Sequence, residues 1–495
     1  MTATAERRYD EPLPTGLLIG SERIQVTSGG HFDHYNPATG ELQNSIPLAG
    51  AKEVDAAVAT ARAAAFEWRK FAPGHRRDVL LRVAELFRER AASLARILTL
   101  EMGVPASMSQ VMASEIPASW FAYYAGWAEK IEGSTIRDLG KEGGKNFLYT
   151  VAEPYGVIAA IIPWNGPLVS IGMKVAAALA AGNCVVLKPP ELAPYTSLYF
   201  GEMCLEAGIP PGVVNVIVGG AEAGDALVRH PDIDKISFTG GIATAHHVMQ
   251  AASESLTPVV LELGGKSANI IFGDAAVPDV MSKAIFSGAA LLSGQSCAIP
   301  SRLLVQESAY DECVEMAVAV AEQVTVGDPF DPATVMGPVI SAAHCERIES
   351  IIARARAEKA GRLITGGKRL GGSLSDGYFL PPTVFADVDN SSNLAQEEVF
   401  GPVLSLIPFR DEDEAIKLAN ETRYGLAAYV WTNDLRRAHR LSDQLEAGQI
   451  WVNATGGLPP NAPYGGLRDS GYGKEGGREG VQEFLRVKSV QIGLD

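Results

Sequence analysis

The stretch 155–191, YGVIAAIIPWNGPLVSIGMKVAAALAAGNCVVLKPPE, decides the fold. From Tyr155 to Met173 it carries no charge and approaches the length of a membrane span. But Pro163, Trp164, Asn165, Gly166 and Pro167 interrupt it. Proline lacks the N–H that a helix interior needs, so the run reads as a buried strand over 157–162, a rigid turn and a new helix over 167–181. A second apolar run at 184–188 follows. The same rhythm continues with a helix at 194–207, a strand at 213–218, a helix at 223–229, a strand at 235–239, a helix at 244–255 and a strand at 259–262. Short β-branched runs alternating with helices predict an α/β fold with a parallel, doubly wound sheet. Ligands of such sheets lie beyond the C-terminal strand ends. Here those ends are 163–166, 188–191, 219–220, 239–241 and 262–265, all turn or polar clusters.

Upstream, helical periodicity covers 54–68 and 76–101, and the Gly- and charge-rich segment 132–153 reads as a projecting hairpin. Downstream, a second α/β region spans 267–453, with strands expected at 269–272, 303–306, 404–408, 428–431 and 449–452. The tail 487–492 alternates weakly and suits an edge strand.

The length of 495 residues suggests about two to four domains. With 42 Lys+Arg against 58 Asp+Glu, the formal net charge is -16. Without a concentrated basic patch, that surface repels nucleic acid and anionic membranes. The five cysteines are odd in number, irregularly spaced and free of any CxxC, which points to a reducing, cytoplasmic location. The start, MTATAERRYDEPLP, has no apolar run of signal length.

Few residues carry the marks of chemistry. Cys297, in Gly-Gln-Ser-Cys, follows a small, apolar stretch (288–294) that cannot end as a regular amphipathic helix. A cysteine on such a turn suits a nucleophile, while the plain alternative is a small buried hydrophobe. Glu262 closes an apolar strand before Leu263-Gly264-Gly265-Lys266. Burial would raise its pKa and suit a general base, and a salt bridge to Lys266 is the structural alternative. Asn165, in the double-proline turn, suits an oxyanion donor or else a helix cap. Lys188 and Glu191, held by Pro189 and Pro190, suit ribose hydroxyls or a solvated turn. Phe238-Thr239-Gly240-Gly241 ends a strand and opens a helix, where backbone N–H groups can meet phosphate. No metal site is expected: the histidines are scattered, and adjacent His246 and His247 diverge by about 100° on a helix. The acidic run 411–414 reads as a solvated first helical turn.

In order along nearly the whole chain, these motifs resemble those of the NAD(P)-dependent aldehyde dehydrogenase superfamily. They are Pro163-Trp164-Asn165, Lys188-Pro189-Pro190-Glu191, Phe238-Thr239-Gly240, Glu262 to Lys266, Gly294 to Cys297, Glu398 to Pro402, Trp451-Val452-Asn453 and Pro463-Tyr464-Gly465-Gly466. The resemblance implies a Rossmann-type cofactor domain (1–131 and 155–263), an α/β catalytic domain (264–463) and a small β oligomerisation element (132–154 and 480–495). It implies Cys297 as nucleophile, Glu262 as base, Asn165 as half of the oxyanion hole, and Lys174 near the base. Cofactor contacts are implied for Ile162, Pro163, Trp164, Lys188, Glu191, Gly220, Phe238, Thr239, Gly240, Gly241, Leu263, Glu398 and Phe400. A substrate tunnel is implied along Gly166, Ser170, Met173, Ser296 and Ala298.

The implied cofactor is NAD, with NADP possible, because Glu191 should bind ribose hydroxyls and repel a 2′-phosphate. The implied partners are a small aldehyde and further copies of the chain, as a homodimer or homotetramer joined by the 132–153 hairpin and the tail. Three positions depart from the family pattern: Gly241 for a serine, Ala245 for a glycine, and Leu292 for an asparagine common among members. Gly166 replaces a position that is often aromatic, and the tunnel lacks Arg or Lys, so a medium-sized apolar aldehyde, aliphatic, terpenoid or aromatic, is expected. Relatives that pass the acyl group to coenzyme A commonly lack the glutamate that Glu262 matches. Such an acyl-transferring relative, and a non-catalytic nucleotide-binding or structural protein of the same fold, are the alternatives.

Overall fold

The computed structural model describes residues 12–139 and 145–494. Its first sheet has eight strands. Their order is Gly471–Tyr472, Val259–Glu262, Lys235–Thr239, Val157–Ile161, Cys184–Lys188, Val214–Val216, Leu17–Ile19 and Glu22–Ile24. The five strands from Val259–Glu262 to Val214–Val216 run parallel. From Val157–Ile161 the chain builds outward to one side, then returns to build Lys235–Thr239 on the other. That reversal opens a crevice at the C-terminal ends of these two strands.

The helix after the turn, Pro167–Ala180, shows why the uncharged run is not a membrane span. Pro167 sits in its first turn, where a missing N–H costs nothing. Four alanines favour the helix, and residues 170–180 are all buried. Gly182, at φ +92, ends it by taking a conformation that other residues resist. The helix is buried on all sides because it lies inside the domain, against the helix Glu115–Ala125. Gly172 makes that contact close, since a Cβ there would lie 2.8 Å from Trp120 Cβ. Among the described residues, no helix is long and apolar enough to cross a membrane.

The second sheet has seven strands. Their order is Arg362–Thr365, Thr383–Ala386, Val403–Phe409, Arg302–Gln306, Ala268–Ile271, Ala427–Trp431 and Gln449–Val452, all parallel except the first pair. Buried Arg302 ties this sheet to its surroundings. Its guanidinium donates to the carbonyls of Lys266 (2.9 Å), Leu418 (2.7 Å) and Ala419 (2.8 Å) and to Asn390 Oδ1 (2.9 Å). A third, antiparallel sheet pairs Leu485–Gly493 with Asn146–Pro154 and the latter with Thr135–Ile136. The expected hairpin and the tail strand therefore meet in one sheet; residues 140–144 of the hairpin lie outside the described residues.

Some boundaries differ from expectation. The helical run 76–101 is two helices, Pro73–Glu89 and Ala91–Met102, because Arg90 (φ -98, ψ 11) leaves helical geometry between them. The strands Arg362–Thr365, Thr383–Ala386 and Gly471–Tyr472 had no distinct sequence signal. Asp411 caps the helix Glu412–Asn420, accepting from Glu414 N, so the acidic run is indeed a first turn.

Candidate active site

The crevice at the reversal point opens into a cleft of about 1050 Å³. Every expected cofactor residue lines it: Ile162, Pro163 and Trp164 from the first turn, Lys188 and Glu191 from the second, Gly220, then Phe238 to Gly241, Leu263, Glu398 and Phe400. Asn165 and Cys297 line the same cleft. Glu262 and Lys174 do not; they are buried behind it. Gly166, Ser170, Met173, Ser296 and Ala298 also lie outside its lining. Ser170 and Met173 are buried on the Pro167–Ala180 helix, whereas Ser296 and Ala298 are half-buried beside Cys297.

The loop bearing Cys297 is built from irregular backbone. The π-helical turn Phe286–Ala290 leads into Leu291–Gly294, where Leu292 (φ 50) and Ser293 (φ 54) are left-handed. Gly294 (φ +71) follows, and a Cβ there would lie 2.3 Å from the Gly401 carbonyl. The loop is then pinned by side chains. Ser293 Oγ donates to Gly337 O (2.8 Å), and Gln295 Oε1 accepts from Ile340 N (2.9 Å). Gly265 permits the final approach, since a Cβ there would come within 2.5 Å of Cys297 O.

Asn165 is not a helix cap. Gly166 holds that position without a side-chain bond, and Asn165 Nδ2 donates to Gln295 O at 2.9 Å. That bond fixes which end of the amide faces the cysteine loop and uses one of its two N–H donors. Cys297 is half-buried, and burial pushes its thiol up to about 12. The Tyr464 hydroxyl, 3.7 Å from the sulfur, opposes that rise, whereas Glu398 and Glu262 add to it.

Glu262 does not pair with Lys266. Burial first, then the charge of Glu475, raises its carboxyl well above the usual range; Lys174 and Lys474 pull the other way. Its Oε1 is buried without a hydrogen-bond partner. Lys266 is itself buried; burial lowers its ammonium to about 7, and the charge of Arg302 adds to the fall. Glu398 is raised by burial to about 7, although Gly265 N donates to it at 3.0 Å.

Sequence reasoning missed several residues. Tyr464 lies in the motif Pro463-Tyr464-Gly465-Gly466, which by itself assigns it no role. Glu475 gave no local sign, yet it pairs with Lys174. His344 and Arg347 also line the cleft and staple its Glu398–Phe400 wall: His344 Nε2 lies 2.8 Å from Phe400 O, and Arg347 donates to Val399 O (2.6 Å) and Glu398 O (3.0 Å). Phe400 packs edge-on against Trp164, with ring centroids 5.2 Å apart. These contacts join residues far apart in sequence, so no spacing rule reveals them.

The chain resembles known proteins over nearly its whole length. The model of the "Aldehyde dehydrogenase family" matches residues 24–490. An aldehyde dehydrogenase of Emericella nidulans is 42% identical over 493 residues, covering 98% of this chain and 96% of that protein. A phenylacetaldehyde dehydrogenase of Pseudomonas fluorescens is 40% identical, covering 97% and 96% respectively. The solved structure of betaine aldehyde dehydrogenase from Staphylococcus aureus in complex with NAD+ superposes with a TM-score of 0.94 at 36% identity, covering 98% of this chain and 96% of that one. With its motifs in family order and its site built on the reversal point of a doubly wound sheet, this chain belongs to the aldehyde dehydrogenase family.

Proposed function

We propose that this protein oxidises a medium-sized, apolar aldehyde to its carboxylic acid with NAD, through a thiohemiacetal and then a thioester on Cys297. Its family makes the reaction class NAD(P)-dependent aldehyde oxidation. The observation that carries the reading is the convergence of Cys297, Asn165 and all the cofactor candidates on one cleft.

The residues present fit a dinucleotide. Lys188 and Glu191 stand together at one strand end, as ribose hydroxyls require. A Cβ at Gly241 would meet nothing within 4 Å, so the helix start beside it is open to a phosphate. Glu398 and Phe400 line the same cleft as Cys297. Bound there, NAD would supply the hydride acceptor that turns the thiohemiacetal into the thioester. Glu191 disfavours a 2′-phosphate, which favours NAD over NADP.

The chain's own groups do the rest. The Cys297 thiolate attacks the carbonyl carbon. The free N–H of Asn165 and the Cys297 backbone N–H stabilise the oxyanion. Once the thioester stands, ionised Glu262 takes a proton from water, and the resulting hydroxide releases the acid and the Cys297 thiolate. The tunnel candidates Gly166, Ser170, Met173, Ser296 and Ala298 carry no charge, so an ω-carboxylate would find no cation among them. The similarity to a phenylacetaldehyde dehydrogenase supports an aromatic or aliphatic apolar substrate.

The proposed domains are 1–131 with 155–263, 264–463, and 132–154 with 480–495, and the grouping of strands into three larger sheets supports them. The exposed tail strand Leu485–Gly493, an open edge of its sheet, supports assembly of two or four copies by strand addition. All five cysteines are unpaired, in keeping with a reducing cytoplasm.

An aldehyde panel followed by NADH formation, run for the native chain and Cys297→Ala, tests the reading. Apolar aldehydes should give the highest kcat/KM, coenzyme A should not be required, and Cys297→Ala should abolish NADH formation. Turnover in that variant would end the nucleophile assignment. Preference for succinic semialdehyde would end the substrate assignment.

A further inference from the structure

Tyr464 stands in an unusual relation to the reactive thiol. Its backbone is zipped to Glu475, with Tyr464 N donating to Glu475 O at 2.5 Å and Glu475 N to Tyr464 O at 2.7 Å. The next carbonyl, Gly465 O, accepts from Lys474 Nζ at 2.7 Å. A Cβ at Gly465 would lie 2.6 Å from Glu262 Oε1, so this segment passes directly beside the base. The Tyr464 ring is buried, and its hydroxyl reaches Cys297 Sγ at 3.7 Å, within range for a bond to sulfur.

The other groups facing the sulfur offer no such help. Glu262 and Glu398 are carboxylates, and their charge opposes a thiolate. Tyr429, also near Cys297, donates its hydroxyl to Ala298 O at 2.9 Å and so fixes the backbone rather than the sulfur.

We propose that Tyr464 is a positioning residue for the nucleophile: its hydroxyl donates to the Cys297 sulfur and holds the thiolate in place between the cleft and Glu262. This rests on Cys297 being the nucleophile. The thiol's proton leaves to solvent or base, not to the tyrosine, because burial keeps the phenol protonated far above its ordinary value. A hydrogen bond to the charged form favours it, so the hydroxyl enlarges the thiolate fraction at neutral pH. The bond weakens when the sulfur lone pair is used in attack. Losing the hydroxyl should therefore make each thiolate slightly more reactive while making thiolates scarcer.

The test compares the native chain, Tyr464→Phe and Cys297→Ala. Alkylation of Cys297 by iodoacetamide is followed by peptide mass from pH about 6 to 10. Burial keeps the thiol's midpoint above this range, so the readout is the alkylation rate, which there follows the small thiolate fraction. In Tyr464→Phe alkylation should be roughly tenfold slower at every pH, equivalent to a midpoint about one unit higher. kcat/KM should fall by a similar factor, while KM for NAD and the melting temperature stay the same. A ring that merely fills space would leave the alkylation rates untouched, and unchanged or faster alkylation overturns the proposal. Cys297→Ala keeps the two readings apart: turnover without the thiol overturns the nucleophile, whereas unchanged alkylation in Tyr464→Phe overturns only the role of the hydroxyl.

Discussion

Lys174 Nζ lies 2.5 Å from Glu475 Oε1, and this buried pair sits behind the cleft with Ser237 Oγ 3.0 Å away. The lysine's direct ion pair is thus with Glu475 rather than with the proposed base, Glu262. Glu262 feels both neighbours through space, Glu475 raising its pKa and Lys174 lowering it.

Lys174→Met should therefore act twice. It strands a buried carboxylate, which costs about 3–5 kcal/mol of stability. It also removes a charge that favours ionised Glu262, so thioester hydrolysis should need higher pH. Denaturant melts report the first effect. The second appears as an alkaline shift of the acid limb of kcat, with a burst of NADH before a slow steady state. The double variant Lys174→Met/Glu475→Gln removes both charges and should be more stable than Lys174→Met alone. Equal stabilities would mean that the pair is not what the lysine supports.

Leu292 occupies a left-handed backbone (φ 50, ψ 27), which costs a residue with a Cβ about 1–2 kcal/mol and which asparagine tolerates better. Its side chain recovers part of this by packing against the buried cluster of Leu98, Met102, Val104, Met112, Ala193 and Ile340. Leu292→Ala loses the packing and keeps the strain; Leu292→Asn loses the packing and relieves it. The asparagine variant should be more stable than the alanine variant by about 1 kcal/mol. Indistinguishable melting curves would show that backbone strain at this loop is small.

His34 is buried, its ring 4.8 Å from Tyr195 and its Nε2 3.2 Å from Leu192 O. Burial lowers its pKa from 6.5 to about 4. The unfolded chain therefore binds this proton first as pH falls, and stability drops between pH 6.5 and about 4. The loss should approach about 3 kcal/mol at the acid end of that window. In His34→Phe, guanidinium midpoints should vary less across the same range. A slope equal to that of the native chain would assign the acid sensitivity to other groups.

Gly241 begins the helix Ile242–Ser255 with extended geometry (φ -77, ψ 151) and no side-chain cap. A serine fits there without contact and supplies the missing cap oxygen, worth a few tenths of a kcal/mol. Its hydroxyl also faces the cleft proposed for the dinucleotide. Gly241→Ser should lower KM for NAD severalfold and leave kcat unchanged in initial-rate assays. An unchanged KM would place the phosphates elsewhere.

The sequence by itself determined the alternation of the first α/β unit. The strands Cys184–Lys188, Lys235–Thr239 and Val259–Glu262 lie where their apolar runs begin and end, and the turns after them do line the cleft. Such runs are legible because burial of a strand depends on its own few residues. It also picked out Cys297, Asn165 and Glu262, since each stands in a short motif at a strand end or tight turn. Only the tertiary structure decided the partners. Lys174 and Glu475 lie 301 residues apart, and Tyr464 reaches Cys297 across 167. Periodicity records that a side chain turns inward, not what it meets there. The sheet's reversal beside Val157–Ile161, the pairing of the tail with Asn146–Pro154 and the left-handed turn at Leu292 are set by packing between distant segments, which no local pattern of residues carries.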